Sequence, residues 1–384
     1  MGPVIEVANV GDRRELLDML AAAFRDFSPT HPEFDAIYPD LFVPTEEAMA
    51  RHRIVRQDGR IIACVGCYPQ TLRLGPVTVE MFGIGQVSCL KAWRERGYMT
   101  ALLKETIARM EATAAAMSWL GGRRDRYATF GWEVAGTTAR CRLTRKTLAR
   151  GADPLRATFD IASLGPADVT DDLWRLVSSG PVRCVYPREE WLVKLTRGKP
   201  QTIWTATPPG ASAPVAFAVA PEGADGLTEY GGQPHALRAL LAAVAQRNGH
   251  GAVSLSCCPG LTEDAEFYWT HAEWVSPELL NLRVHHLDRL MEAYRPLWDP
   301  LVPTGESATL VMRREGPGGE TRQRFTLGQR PAGPGDELCL DELQMVRLLF
   351  GPWSPTTVLP LPPRLRWLNQ VFPLPFTVPI PAHV

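Results

Sequence analysis

The sequence predicts an α/β (α+β) chain: two successive mixed sheets with flanking helices, then a third, smaller α+β unit. Three observations carry this reading. At 384 residues the chain is longer than one typical domain. The order helix, antiparallel strands, helix, strand occurs over residues 11–143 and is echoed over 169–259. From about residue 283 the pattern changes and ends in a proline-rich tail. Domains are therefore expected at 1–147, 148–284 and 285–384, with 149–156 (ARGADPLR) as a linker or surface turn.

Residues 11–26 (GDRRELLDMLAAAFRD) repeat apolar side chains at helical spacing behind an acidic turn. Strands are expected at 52–57 and 60–67 across Asp58-Gly59, and at 70–74 and 77–82 across Gly75-Pro76. Val87 to Met110 reads as an apolar strand, a short basic turn and an amphipathic helix whose Leu102, Leu103, Ile107 and Met110 are core. A buried strand at 117–120, a helical turn at 126–131 and a strand at 132–143 complete the first unit.

In the second unit, VTDDLWRLVSSG and PREEWLVKLTRG are helical, and QTIWTATP, PVAFAVAP and LTEYGG are strands. HALRALLAAVAQRNG is an amphipathic helix stopped by Asn248-Gly249, and AVSLSCCP is a strand. In the third unit VHHLDRLMEAYRPLW and LCLDELQMVRLLFG are expected as helices, and ATLVMRREG and TRQRFTLG as strands. The prolines from Pro360 to Pro381 keep the tail from being helical throughout, while Trp367, Leu368, Val371, Phe372 and Phe376 should pack it down.

Composition narrows the function. With 41 basic and 42 acidic side chains, the net charge of −1 supports neither a nucleic-acid surface nor a polybasic membrane patch. No transmembrane run or signal peptide is visible, so a cytoplasmic protein without a membrane partner is expected. The eight cysteines are scattered through apolar, strand-like contexts, as reduced cysteines are. Cys64 and Cys67 form a CxxC, but on a strand residues three apart point to opposite faces, and no second pair completes a metal site. No metal is expected.

The most informative chemistry lies in the basic turn. Arg94, Arg96 and Gly97 stand where a helix begins. A helix N-terminus presents unpaired N–H groups and the positive end of a dipole, glycine lets a ligand approach the backbone, and arginine adds planar donors. That combination suits a pyrophosphate. The equivalent turn of the second unit, Gly231-Gly232-Gln233-Pro234-His235, has no arginine, so that unit reads as a copy without a phosphate site.

These residues resemble the GNAT acetyltransferase superfamily. Arg94-Glu95-Arg96-Gly97-Tyr98-Met99 is similar to its Arg-x-x-Gly-x-Gly/Ala loop, and Met99 in place of a small residue is similar to the enhanced intracellular survival (Eis) branch. Arg126-Tyr127-Ala128-Thr129-Phe130-Gly131-Trp132 resembles that branch's Tyr-x-x-Phe-Gly-aromatic segment. The resemblance implies tandem GNAT-like domains and a sterol-carrier-protein-like C-terminal domain. It implies an N-acetyltransferase using acetyl-CoA as cosubstrate, acting directly on a primary amine of a polyamine, an aminoglycoside-like molecule or a lysine side chain. Val87, Ser88 and Cys89 would offer strand backbone to the pantetheine arm, and Arg94, Glu95, Arg96, Gly97, Tyr98, Met99 and Thr100 would form the pyrophosphate loop. Tyr127 would be the general acid. The terminal carboxylate, on Val384 here, would be the base, with His383 or Glu80 as alternatives. Asp26 and Glu33 fall where the family's substrate loop lies. A homo-oligomer, such as a hexamer, is also implied. Two other readings stand beside this one: a non-catalytic acyl-CoA-binding regulator, and a carrier of an apolar ligand in the C-terminal domain.

Overall fold

The computed structural model describes residues 2–150, 159–316, 319–328, 333 and 335–384. The expected linker falls outside the described residues from position 151 onward. The first unit contains β1 (Ile5–Val7), β2 (His52–Gln57), β3 (Arg60–Leu74), β4 (Val77–Cys89), β5 (Met117–Leu120) and β6 (Glu133–Thr144). The second contains β7 (Asp160–Leu164), β8 (Val182–Cys184), β9 (Gln201–Thr207), β10 (Ala216–Pro221), β11 (Glu229–Gly232), β12 (Ala252–Cys257) and β13 (Trp274–Val284). The third contains β14 (Ala308–Gly316), β15 (Gly319–Leu327) and β16 (Glu337–Asp341).

Two expected strand pairs are single strands. β3 runs unbroken through Pro69, although proline cannot donate to a ladder. Pairing with β2 ends at Gly66 and pairing with β8 begins at Leu72, so no strand on that side needs an N–H from Pro69. β4 joins the strand expected at 77–82 to the one expected at Val87. It is distorted at Gln86, whose φ is 51°, next to a register shift against β3 between Cys64 and Gly66. The first helix forms over Arg13–Arg25 and buries Leu16, Leu17 and Leu20 against β3 and β4.

The two units do not keep their strands to themselves. β5 pairs with Asn281–Val284 of β13, not with β6. β6 pairs with β13 over most of its length, and its distal half, Ala139–Thr144, pairs with β12. Each unit thus lends its last strand to the other. The result is one sheet in the order β1-β2-β3-β4-β5-β13-β6-β12, with β8 on the edge of β3. The expected units on either side of residue 147 share this sheet.

A second sheet, β11-β10-β9-β7, is covered by the helix Pro234–Arg247. The third unit has the sheet β15-β14-β16, in which β14 and β16 are parallel, and the helices Leu287–Trp298 and Glu342–Phe350. The segment 338–341, expected as helix, is strand. Leu338 and Leu340 alternate into the core, and Asp341 caps the helix by accepting from the Gln344 N–H at 2.7 Å. The tail is packed: Leu365, Leu368, Val371, Phe372 and Phe376 are buried. At Phe376 it is tied to β6, where Thr138 Oγ1 donates to the Phe376 carbonyl at 3.1 Å and the Phe376 N–H donates to Thr137 Oγ1 at 2.9 Å. Among the described residues no helix is long and apolar enough to cross a membrane, and no group of three or more His, Cys, Asp or Glu could hold a metal ion.

Candidate active site

The site begins where a sheet opens. β4 and β5 run parallel and pair only from Met81–Ile84 to Met117–Leu120. Beyond Ile84 they part, so Gly85–Cys89 keep a backbone edge with no strand on the β5 side, while β3 still holds the other edge. Val87, Ser88 and Cys89 lie on this open stretch. The Ser88 hydroxyl turns back to the Gln86 carbonyl at 3.0 Å, so it is the main chain of these residues that faces the opening.

The basic turn caps the opening. Glu95 and Gly97 have φ of 65° and 80°, and Gly97 precedes the helix Tyr98–Glu111 with no side chain capping its first turn. The N–H groups of Tyr98, Met99 and Thr100 therefore have no intrahelical acceptor. A Cβ on Gly97 would meet nothing within 4 Å, so the space before those donors is open. The two arginines differ. Arg94 donates to the Cys89 carbonyl at 3.2 Å, pairs with Asp26 at 2.6 Å and stacks over Phe27. Arg96 is exposed and stacks over Trp93. Arg94 thus builds the loop, and Arg96 carries the charge available to a ligand.

Tyr127 ends the short helix Arg124–Tyr127 that follows β5. Its ring meets Trp132 nearly edge-on, with centroids 6.4 Å apart, in one apolar cluster with Ile84 and Val87. Burial raises the pKa of the Tyr127 phenol, which keeps it protonated near neutrality.

Val384 reaches β4 on the opposite side. A Cβ on Gly83 would come within 2.8 Å of the Val384 side chain, and one on Gly85 within 2.9 Å of its terminal carbon. Ile84, between these glycines, belongs to the apolar cluster against which Tyr127 packs. Alternation along a strand therefore sets residue 384 and Tyr127 on opposite faces of β4. Gln70 Nε2 donates to the Ala382 carbonyl at 2.6 Å, Trp119 Nε1 to Gln70 Oε1 at 2.8 Å, and Arg197 to the His383 carbonyl at 2.6 Å. The His383 ring lies 5.3 Å from Trp119, with Nε2 on the Val378 carbonyl at 3.2 Å, and Glu80 accepts from Thr71 Oγ1 at 2.9 Å.

Beneath Gly85 lies a buried polar chain. His52 Nδ1 bonds the Met49 carbonyl at 3.2 Å, His52 Nε2 meets the Tyr68 hydroxyl at 2.9 Å, and Tyr68 donates to Gln86 Oε1. Burial depresses the His52 pKa to about 4 and raises that of Tyr68. This chain braces Gln86 in its left-handed conformation, which needs support in a non-glycine residue.

The carboxylates after the first helix, expected to face substrate, are locally paired. Asp26 is held below its usual range by its hydrogen bond from Arg94, Glu33 pairs with Arg25, and Asp35 pairs with Arg13 at 3.1 Å. A further carboxylate, Asp40, sits deeper. Burial pushes its pKa up, but Arg197 and Lys194 overcome this and hold it low.

Sequence reasoning did not single out Gly83, Gly85, Gln70, Trp119, Arg197 or the His52–Tyr68–Gln86 chain. Glycine at alternate positions of an apolar strand, Phe82-Gly83-Ile84-Gly85, marks a face that another backbone approaches closely, and it was the available signal. The others join segments far apart in sequence.

Residues 5–135 match the family model of an acetyltransferase (GNAT) domain, so the first unit is such a domain. No curated protein matches the chain by sequence. Among solved structures it is similar to Eis1 from Mycobacterium abscessus, at 14% identity over 98% of each chain and a TM-score of 0.65. It is also similar to GCN5-related N-acetyltransferases from Kribbella flavida (15% identity, 96% of this chain and 95% of that one, TM-score 0.65) and Anabaena variabilis (12%, 96% of each, 0.67). These likenesses extend the shared fold to almost the whole chain.

Proposed function

We propose that the chain is an acetyl-CoA-dependent N-acetyltransferase that acetylates a primary amine by direct transfer. The observation that most supports this is the opening between β4 and β5, with an uncapped helix start at one end and Tyr127 and residue 384 on opposite faces of β4. Tyr98, Met99 and Thr100 N–H groups, with Arg96, would hold the pyrophosphate. The free backbone edge of Val87–Cys89 would hold the pantetheine arm as an added strand.

An amine attacks a thioester only when neutral, and a thiolate leaves most easily when protonated. The carboxylate on residue 384 takes the ammonium proton on one face of β4, and the Tyr127 hydroxyl gives its proton to the departing sulfur on the other. The new C–N bond forms as the C–S bond breaks, and the surplus proton on the nitrogen then leaves through water to the tyrosinate, which gives the amide and restores Tyr127. Open backbone N–H groups of β4 stabilise the oxyanion. The acceptor would be a polyamine, an aminoglycoside-like molecule or a lysine side chain.

The test is thiol release from acetyl-CoA against those three amine classes, with the acetylated product identified by mass. Equal amounts of free CoA and acetylated amine are expected. Tight acetyl-CoA binding without thiol release from any amine would favour the regulator reading.

A further inference from the structure

The second unit repeats the opening. The segment leading into β11 meets β12 through a single parallel bridge, Gly226 to Ser254, and β11 itself pairs only with β10. A cavity of about 130 Å³ lies there, lined by Phe217, Leu227, Leu237 and Ile380 and by the polar residues Glu229 and Tyr268. The tail residues Thr377–Ile380 form one wall. Glu229 is the chemically distinctive group. Trp191 Nε1 donates to its carboxyl at 2.7 Å, and among the described residues it forms no ion pair. Arg183 acts on it only from a distance and is itself bonded to the Ser178 carbonyl at 2.6 Å. The Tyr268 hydroxyl is buried and has no hydrogen-bond partner among the described residues.

A half-buried carboxylate at a cavity wall with one neutral donor is incompletely compensated, and a cation supplied from outside would match it. A second carboxylate, Glu263, also lines the cavity, and the two together select against an anionic ligand. The volume is near the ~150 Å³ of an engineered cavity that takes benzene. We propose that this cavity binds a small alkyl primary amine, its ammonium on the Glu229 carboxylate and its chain among Phe217, Leu227, Leu237 and Ile380. The site is separate from the acetyl-transfer opening and does not depend on that reading.

Burial raises the Glu229 pKa to about 7, so proton and ammonium compete for one carboxylate. The charged or titratable groups around it are Arg183, Cys184 and Tyr186 at and after β8, Glu190 on the helix that follows, Tyr230 on β11, and Cys258, Glu263 and Tyr268 after β12.

The probe is n-butylamine, titrated calorimetrically into the full-length protein, with n-butanol as the uncharged isostere. Saturable binding is expected at pH 8, at least about tenfold weaker for n-butanol and for Glu229→Gln. Affinity should fall about tenfold from pH 8 to pH 6, as the ionised fraction of a carboxyl titrating near 7 does. Absence of saturable binding, or equal affinity in a folded Glu229→Gln protein, would overturn the proposal. If Glu229→Gln does not fold, the wild-type pH profile decides, and pH-independent binding is the adverse result.

Discussion

The two clefts of this chain share a plan and differ in chemistry. In the first, four residue pairs join the parallel strands before they part; in the second, one bridge does. Both are followed by a helix start without a side-chain cap, but the first begins at Gly97 and the second at Gln233 with proline in its first turn. The first receives residue 384 against Gly83 and Gly85, whereas the second is walled by Thr377–Ile380 of the same tail. A fold supplies an opening between parting strands, and a few local residues set its chemistry: Arg96 and Gly97 in the first, Glu229 in the second.

Four measurements would break or sharpen this contrast. The largest effect is expected from Tyr127→Phe, which should lower kcat about 10²–10⁴-fold while the CoA dissociation constant stays nearly unchanged. Turnover near wild type would leave the first cleft without its acid.

The next effect concerns the second cleft. Glu229 titrates near 7 in the fold against an ordinary 4.5, so it is neutral in the fold where the unfolded chain already carries the charge. Raising pH from 4.5 to 7 therefore costs the wild type stability, up to about 3 kcal/mol, that Glu229→Gln does not lose. Urea midpoints across this window should diverge in favour of the variant. Parallel curves would mean that Glu229 is not isolated from water.

Removing His383 and Val384 should lower kcat/KM about 10²-fold, with acetyl-CoA affinity retained, if the carboxylate on residue 384 takes the amine proton. An unchanged pH–rate profile in the shortened protein would move the base elsewhere, to Glu80 or to the new terminal carboxylate on Ala382.

The smallest effect separates the two glycine turns. Gly97→Val should raise the KM for acetyl-CoA about tenfold, since its Cβ would enter the open space before the helix. Gly232→Ala should lower the melting temperature instead, because its Cβ would lie 2.3 Å from the Val215 carbonyl. Loss of acetyl-CoA affinity in both variants would erase the distinction between the clefts.

Much of this plan was legible in the sequence. Arg13–Arg25, Tyr98–Glu111 and Pro234–Arg247 announce themselves by helical spacing, and Gly97 by its place between a strand and a helix. The bend of β4 at Gln86 was not legible, because the groups that brace it, Tyr68 and His52, lie on β3 and at the start of β2. Nor was the pairing of Arg94 with Asp26, which are 68 positions apart.

By itself, the sequence determined what depends on neighbours along the chain: helix starts, turn glycines, apolar periodicity and the strand–turn–helix around Gly97. Tertiary structure alone decided the exchange of β6 and β13, the return of the tail to Gly83 and Gly85, and the placing of Glu229 on Trp191 without an ion pair among the described residues. The physical reason is that local preferences are set by backbone sterics and short-range hydrogen bonds. Partners 160 or more residues apart, such as Leu120 and Asn281, are chosen only when the whole chain packs its apolar faces together.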